Sequence, residues 1–296
     1  MKLGFVGLGT MGGPMALNLH KSGADLVVYA RNPEILKGFA AKGVPVTAKL
    51  PDLSATDILF LCLPNSDKVK EVLFGENGLK EALHEGQIVV DCGTSNYNAT
   101  LEIAKALAKK NVSFLDAPVS GMEARAVDGT LTIMCGGEKA VFEKVEPFFA
   151  RMGNNILYMG ETGAGQLTKL INQLLFDINM AALAEVLPLS TKLGLEPTAI
   201  GQVINSGTGR SFASEFFIPR VLENNFSDGY SLKNAYKDLV SAADLSAKLC
   251  VPLPVLHAAT TTYQMALLDG HGDRDKGAMI CVFERLLDVL YRTRQR

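Results

Sequence analysis

The strongest constraint on the fold lies at the start of the chain. A four-residue apolar run, Leu3–Val6, leads directly into Gly7-Leu8-Gly9-Thr10-Met11-Gly12, and a helical stretch, Met11–Lys21, follows. In a strand–turn–helix context each glycine has a physical task. Gly7 permits the tight turn, Gly9 lets backbone approach a pyrophosphate, and Gly12 lets the helix pack against the strand. Backbone amides at the helix N-terminus, aided by the helix dipole, then face the phosphates. The segment predicts a dinucleotide-binding βαβ unit with Gly7, Leu8, Gly9, Thr10, Met11 and Gly12 at the cofactor.

Further apolar runs at Leu26–Tyr29, Ile58–Leu63, Ile88–Val90, Val112–Leu115 and Leu131–Met134 alternate with helical stretches such as Ala99–Lys109. Short buried runs between helices indicate a mostly parallel sheet. After the glycine-rich segment Gly160–Gly165, strand-like runs nearly vanish. Leu167, Leu170, Ile171, Leu174, Leu175 and Ile178 then recur at helical spacing, the apolar stripe of an α-helix. The pattern continues to about Leu193, before Gly194, with Pro188 expected to bend it. Roughly 30 residues at about 1.5 Å each make a helix too long for one small domain. Helices are also expected at Thr198–Asn205, Phe212–Leu222, Leu232–Leu249 and Leu253–Leu268. The expected fold is α/β: a Rossmann-type domain with a mostly parallel sheet over residues 1–162, then an all-α substrate and oligomerisation domain over 163–296. A long interdomain helix joins them.

Composition narrows the partners. The 296 residues carry 29 Lys+Arg against 31 Asp+Glu, a formal charge of −2, with no basic block for nucleic acid or an anionic membrane. The chain enters its first strand at once, and its purely apolar stretches fall short of the 18 or so residues of a membrane span. A soluble, cytoplasmic protein is expected. Cys62, Cys92, Cys135, Cys250 and Cys281 form no Cys-x-x-Cys pair, and His20, His84, His257 and His271 show no ligand spacing, so no metal site is expected.

The end of the second strand reads the ribose. A site for NAD places Asp or Glu there, whereas this chain has Tyr29-Ala30-Arg31-Asn32. The forked donors of Arg31 suit a 2′-phosphate. NADP is the expected cofactor, with NAD as the alternative.

Later motifs extend the pattern. Gly7 to Met15, Asp116-Ala117-Pro118-Val119-Ser120-Gly121, Gly163 to Gln173, and Lys237-Asp238-Leu239 occur in order along essentially the whole chain. Together they resemble the β-hydroxyacid dehydrogenase family, which includes 3-hydroxyisobutyrate dehydrogenase and tartronate semialdehyde (2-hydroxy-3-oxopropionate) reductase. The resemblance implies hydride transfer between a nicotinamide cofactor and the hydroxyl or aldehyde carbon of a short β-hydroxyacid or semialdehyde. Glyoxylate or succinic semialdehyde is the alternative substrate. It further implies that Ser120 and Gly121 hold the substrate's acid group, and that Leu63, Pro64, Lys68 and Thr94 contact the cofactor. Lys237 then stands near cofactor and substrate, with Asp238 beside it. Asn172-Gln173 and Asp269-Gly270-His271-Gly272 look more like the tartronate semialdehyde reductases. Met122 departs from the pattern, which usually has a second glycine there.

The residue chemistry suits these roles. Lys169, Asn172 and Gln173, spaced i, i+3 and i+4, share one helix face offset from the apolar stripe. A lysine amine there can donate a proton to the substrate oxygen during reduction and take one during oxidation. Lys169 is thus the candidate general acid/base, Asn172 the group orienting the hydroxyl, and Gln173 its neighbour. Arg210 either binds a second acidic group or is an ordinary loop arginine. Two rivals use the same scaffold: an imine reductase, which typically lacks the lysine, and a non-catalytic dinucleotide-binding protein, which needs no polar helix face. The small-molecule substrate aside, the expected partner is a second copy, in a homodimer or homotetramer.

Overall fold

Residues 1–293 are described by a computed structural model. The elements run β1 (Lys2–Val6), α1 (Gly12–Lys21), β2 (Asp25–Tyr29), α2 (Pro33–Ala40), β3 (Val46–Thr47), β4 (Ile58–Leu61), α3 (Ser66–Phe74), β5 (Ile88–Asp91) and α4 (Tyr97–Ala108). There follow β6 (Ser113–Asp116), β7 (Val119–Ser120), α5 (Met122–Asp128), β8 (Leu131–Gly137), α6 (Lys139–Phe149) and β9 (Gly153–Gly160). Helices α7 (Ala164–Lys192), α8 (Pro197–Ser206), α9 (Phe212–Leu222), α10 (Leu232–Leu249), α11 (Pro254–Leu268) and α12 (Ile280–Leu287) complete the chain. Two compact units result, Met1–Lys169 and the residues from Leu170 onward, and the division falls inside α7.

The first unit is one twisted sheet in the order β3-β2-β1-β4-β5-β6-β8-β7, with β9 paired to β8. Pairings from β3 through β6 are parallel. Strand β8 runs antiparallel to β6 and β7 and parallel to β9. Every residue of β4 is buried, and the reason is visible in where alternate side chains go. Ile58 and Phe60 join Met15, Leu19 and Phe149 of α1 and α6 on one face. Leu59 and Leu61 join Val69, Leu73, Ile103 and Leu107 of α3 and α4 on the other. A sheet covered on both faces produces continuous apolar runs, which is why its central strands are legible in the sequence. The short strands β3 and β7 and the outer strand β9 are not. In β9, Leu157, Tyr158 and Met159 are exposed, so that strand carries no continuous buried run.

The second unit packs α7 against α9–α12 through many small side chains. Met180, Ala181 and Ala184 meet Ala213 and Phe217 of α9, Ala235 and Ala242 of α10, and Ala259 and Ala266 of α11. By length and composition alone α7 could cross a bilayer; Met180, Ala181, Ala184 and Leu187 are buried in the helical cores, while Ile171, Leu175, Val186 and Leu189 are exposed. The helix continues through Pro188 to Lys192.

The apolar stripe of α7 is divided: Leu170, Leu174 and Ile178 pack against the helical core. Ile171 and Leu175 of the apolar stripe are 62% and 61% exposed, whereas Gln166, Lys169 and Asp177 are buried. Polar groups can take the inner face because they find partners there. Asp177 accepts from Lys276 Nζ at 2.6 Å and from the Tyr263 hydroxyl at 3.2 Å, all three side chains being fully buried. The Lys276 amine also lies 3.6 Å from the Phe176 ring centroid.

Removing one partner strands a charge in the core. Asp177→Ala is therefore expected to cost about 3–5 kcal/mol in thermal unfolding, while Asp177→Leu combined with Lys276→Met costs much less. Equal losses in the two variants would mean that the pair is not the source of the cost.

Candidate active site

The site begins at the turn between β1 and α1. Gly7 has φ +97°, and a Cβ there would strike the Cys62 carbonyl. A Cβ on Gly12 would strike the Gly7 carbonyl and lie 2.9 Å from Cys62 Cβ, so the helix starts hard against β1 and the end of β4. At Gly9 the space is open, with no heavy atom within 4 Å of a Cβ position. No side chain caps α1, and its first turn holds no acid. An uncapped helix start beside open backbone fits the pyrophosphate of a dinucleotide. Thr10 and Met11 lie in this turn, with Leu8 beneath it in the core.

A buried polar cassette then ties the ends of β5 and β6 to the start of α7. Asp116, the last residue of β6, accepts from Gly163 N–H at 2.7 Å and Gln166 N–H at 2.8 Å. Its carboxylate thus meets the positive end of the helix dipole. Gln166 reaches back to the loop after β5: Ser95 N–H donates to Gln166 Oε1 at 3.0 Å, and Gln166 Nε2 donates to the Gly93 carbonyl at 2.9 Å. Thr94 lies between those two clamped residues and is half-buried. Asp91, at the end of β5, accepts from Gly93 N–H at 2.9 Å and the Ser95 hydroxyl at 2.7 Å. Lys169 follows Gln166 by one turn and is only 8% exposed. Sequence reasoning missed Asp91, Ser95 and Gln166. The one available signal was a glutamine three residues before the lysine, on the same helix face.

Ser120 ends β7 half-buried, and Gly121 follows with φ +142°. A Cβ on Gly121 would stand 2.8 Å from Arg125 Cβ and Cδ, so glycine is required twice over. Met122 adopts φ +61°, a left-handed conformation that costs a non-glycine residue roughly 1–2 kcal/mol. Leu63 is half-buried and Pro64 exposed in the segment between β4 and α3. Arg31 and Lys68 both bind Glu71 of α3, at 3.2 and 2.5 Å.

The remaining predicted residues belong to the helical unit. Asn172 is exposed and Gln173 half-buried on α7. Lys237 is exposed, its Nζ 3.4 Å from Asn234 Oδ1, and Asp238 beside it is half-buried. Arg210 is exposed and donates Nε to Glu215 at 2.7 Å, an ion pair local to the start of α9.

Burial governs the two strand-end acids. It pushes the Asp91 carboxyl up to about 7 and the Asp116 carboxyl up to about 6, against the opposing pull of their hydrogen-bond donors. The folded protein then holds protons that the unfolded chain releases between about pH 4 and pH 7, so stability falls as pH rises through that window. In thermal melts from pH 5 to 8, Asp91→Asn should flatten this decline. An identical slope in both proteins would show that Asp91 does not carry it.

Comparison with known proteins agrees with this geometry. Residues 2–160 match the family described as the NAD binding domain of 6-phosphogluconate dehydrogenase, and residues 163–283 that described as the NAD-binding region of NADP-dependent 3-hydroxyisobutyrate dehydrogenase. The chain is 37% identical to 2-(hydroxymethyl)glutarate dehydrogenase of Eubacterium barkeri, covering 98% of this chain and 97% of that protein. It is 35% identical to 2-hydroxy-3-oxopropionate reductase of Escherichia coli K12, covering 96% and 97%. The structure of 3-hydroxyisobutyrate dehydrogenase from Salmonella typhimurium superposes with a TM-score of 0.88 at 29% identity, over 96% of this chain and 100% of that one. With an open glycine turn at an uncapped helix and relatives matched from end to end, the chain belongs to the β-hydroxyacid dehydrogenase family of NAD(P)-dependent oxidoreductases.

Proposed function

We propose that this enzyme prefers NADP and interconverts a short β-hydroxyacid and its semialdehyde, with Lys169 as the general acid/base. The observation that carries the reading is the placement of Lys169: buried, on a helix turn hydrogen-bonded through Gln166 to the loop that holds Thr94. Names of two relatives support the substrate class. Both 2-(hydroxymethyl)glutarate and 2-hydroxy-3-oxopropionate carry an oxygenated carbon β to a carboxylate.

When bound, the nicotinamide cofactor supplies or accepts the hydride. The chain does the rest. The Ser120 hydroxyl and the Gly121 amide bind the substrate carboxylate through charge-assisted hydrogen bonds. Lys169 Nζ gives a proton to the oxygen of the carbonyl under reduction and takes it back in oxidation. Asn172 orients the substrate hydroxyl, and Gln173, Lys237 and Asp238 keep the supporting roles that the family resemblance implies. Leu63, Pro64 and Thr94 contact the cofactor, while Arg31 and Lys68 meet the 2′-phosphate. That last pairing and the name of the second matched family favour NADP, with NAD also accepted. Arg210 is spoken for by Glu215, so a second acidic group on the substrate is not assigned to it.

Absorbance at the nicotinamide band, followed with a panel of β-semialdehydes, tests the activity. Lys169→Ala is expected to lower kcat by about 10²–10⁴-fold while NADP binding stays within twofold. Wild-type kcat in that variant would reject the proton-transfer role. Exposed Ile171, Leu175, Val186, Leu189 and Leu193 on α7 support self-association. Light scattering at micromolar concentration should show a dimer or tetramer, and a monomer there would count against it.

A further inference from the structure

The end of β2 lacks the carboxylate that commonly reads the ribose, yet one arrives from another element. Glu71 of α3 accepts from Arg31 Nη1 at 3.2 Å through Oε1 and from Lys68 Nζ at 2.5 Å through Oε2. The Lys68 hydrogen bond, then the charges of Lys68 and Arg31, hold the Glu71 carboxyl below its ordinary range, so it is ionised at neutral pH. Arg31 follows β2, while Lys68 and Glu71 follow β4, and these two strands flank β1. In an open α/β sheet the crevice at these strand ends is where a dinucleotide lies.

Two cations alone would present a charge of about +2 to a 2′-phosphate, itself close to −2 at neutral pH. With Glu71 between them the cluster falls to about +1, and one donor of each cation, Arg31 Nη1 and Lys68 Nζ, is engaged by the carboxylate. A ribose 2′-hydroxyl, being neutral, is far less sensitive to that charge. We propose that Glu71 sets the cofactor selectivity of this enzyme: its carboxylate competes with the 2′-phosphate for Arg31 and Lys68, moderating NADP affinity and keeping NAD within reach. The inference rests on the reading of Arg31 as the 2′-phosphate residue given above. All three side chains are substantially exposed, so water and salt limit the effect to about five- to tenfold.

Titration of the full chain with NADP+ and, separately, NAD+ tests this, using wild type, Glu71→Gln and Arg31→Ala, at low and at moderate salt. Glu71→Gln is expected to tighten NADP+ about five- to tenfold and leave NAD+ within twofold, with the gain shrinking as salt is added. Unchanged NADP+ binding overturns the proposal. So does weakened NAD+ binding in Glu71→Gln, which would make the carboxylate a reader of the ribose hydroxyl. Arg31→Ala separates the two levels: it weakens NADP+ selectively if the 2′-phosphate reading holds. If it does not, that reading falls and takes this one with it. Glu71 is exposed on α3, and an unchanged melting temperature confirms that the variant is folded.

Discussion

The hydrogen bonds that fasten the first turn of α7 to the ends of β5 and β6 are the constraint on which the site depends. Asp116 holds two amides of that turn, and Gln166 holds the loop on either side of Thr94. Since every partner is buried, none of these bonds competes with water, and each is worth more than its surface counterpart. A helix so anchored has little freedom to rotate or slide. Lys169, one turn on, inherits the precision of the sheet.

Burial along α7 is shared between polar and apolar groups. A helix of this composition would ordinarily turn its leucines and isoleucines inward. Here the first half of α7 keeps Gln166, Lys169 and Asp177 inside and leaves Ile171 and Leu175 in solvent. Burying polar groups is costly unless each finds a partner. Gln166 finds two backbone groups, and Asp177 finds Lys276 and Tyr263. The left-handed Met122 beside Gly121 is another local cost.

Much of this was legible in the residues. The glycine turn carried its own geometry, and the structure shows a steric reason for Gly7 and Gly12. The central strands appeared as apolar runs because both sheet faces are covered, and α9 and α10 were bounded correctly by their periodicity. Strands β3, β7 and β9 stayed hidden because two-residue and exposed edge strands bury no continuous run. The apolar stripe of α7 is divided, Leu170, Leu174 and Ile178 packing on the helical core while Ile171 and Leu175 are exposed: periodicity locates a stripe, but tertiary partners decide how much of it faces inward. The side-chain ties of Gln166 and the Arg31–Glu71 pair were not readable in the sequence, because those partners lie 71 or more and 40 residues away.

The most direct test is a crystal structure of the ternary complex with NADP+ and a β-hydroxyacid. The account requires the Lys169 amine to lie within about 3 Å of the substrate hydroxyl oxygen, which is the reach proton transfer demands. An amine turned away from that oxygen, with another side chain or an ordered water in its place, would contradict it.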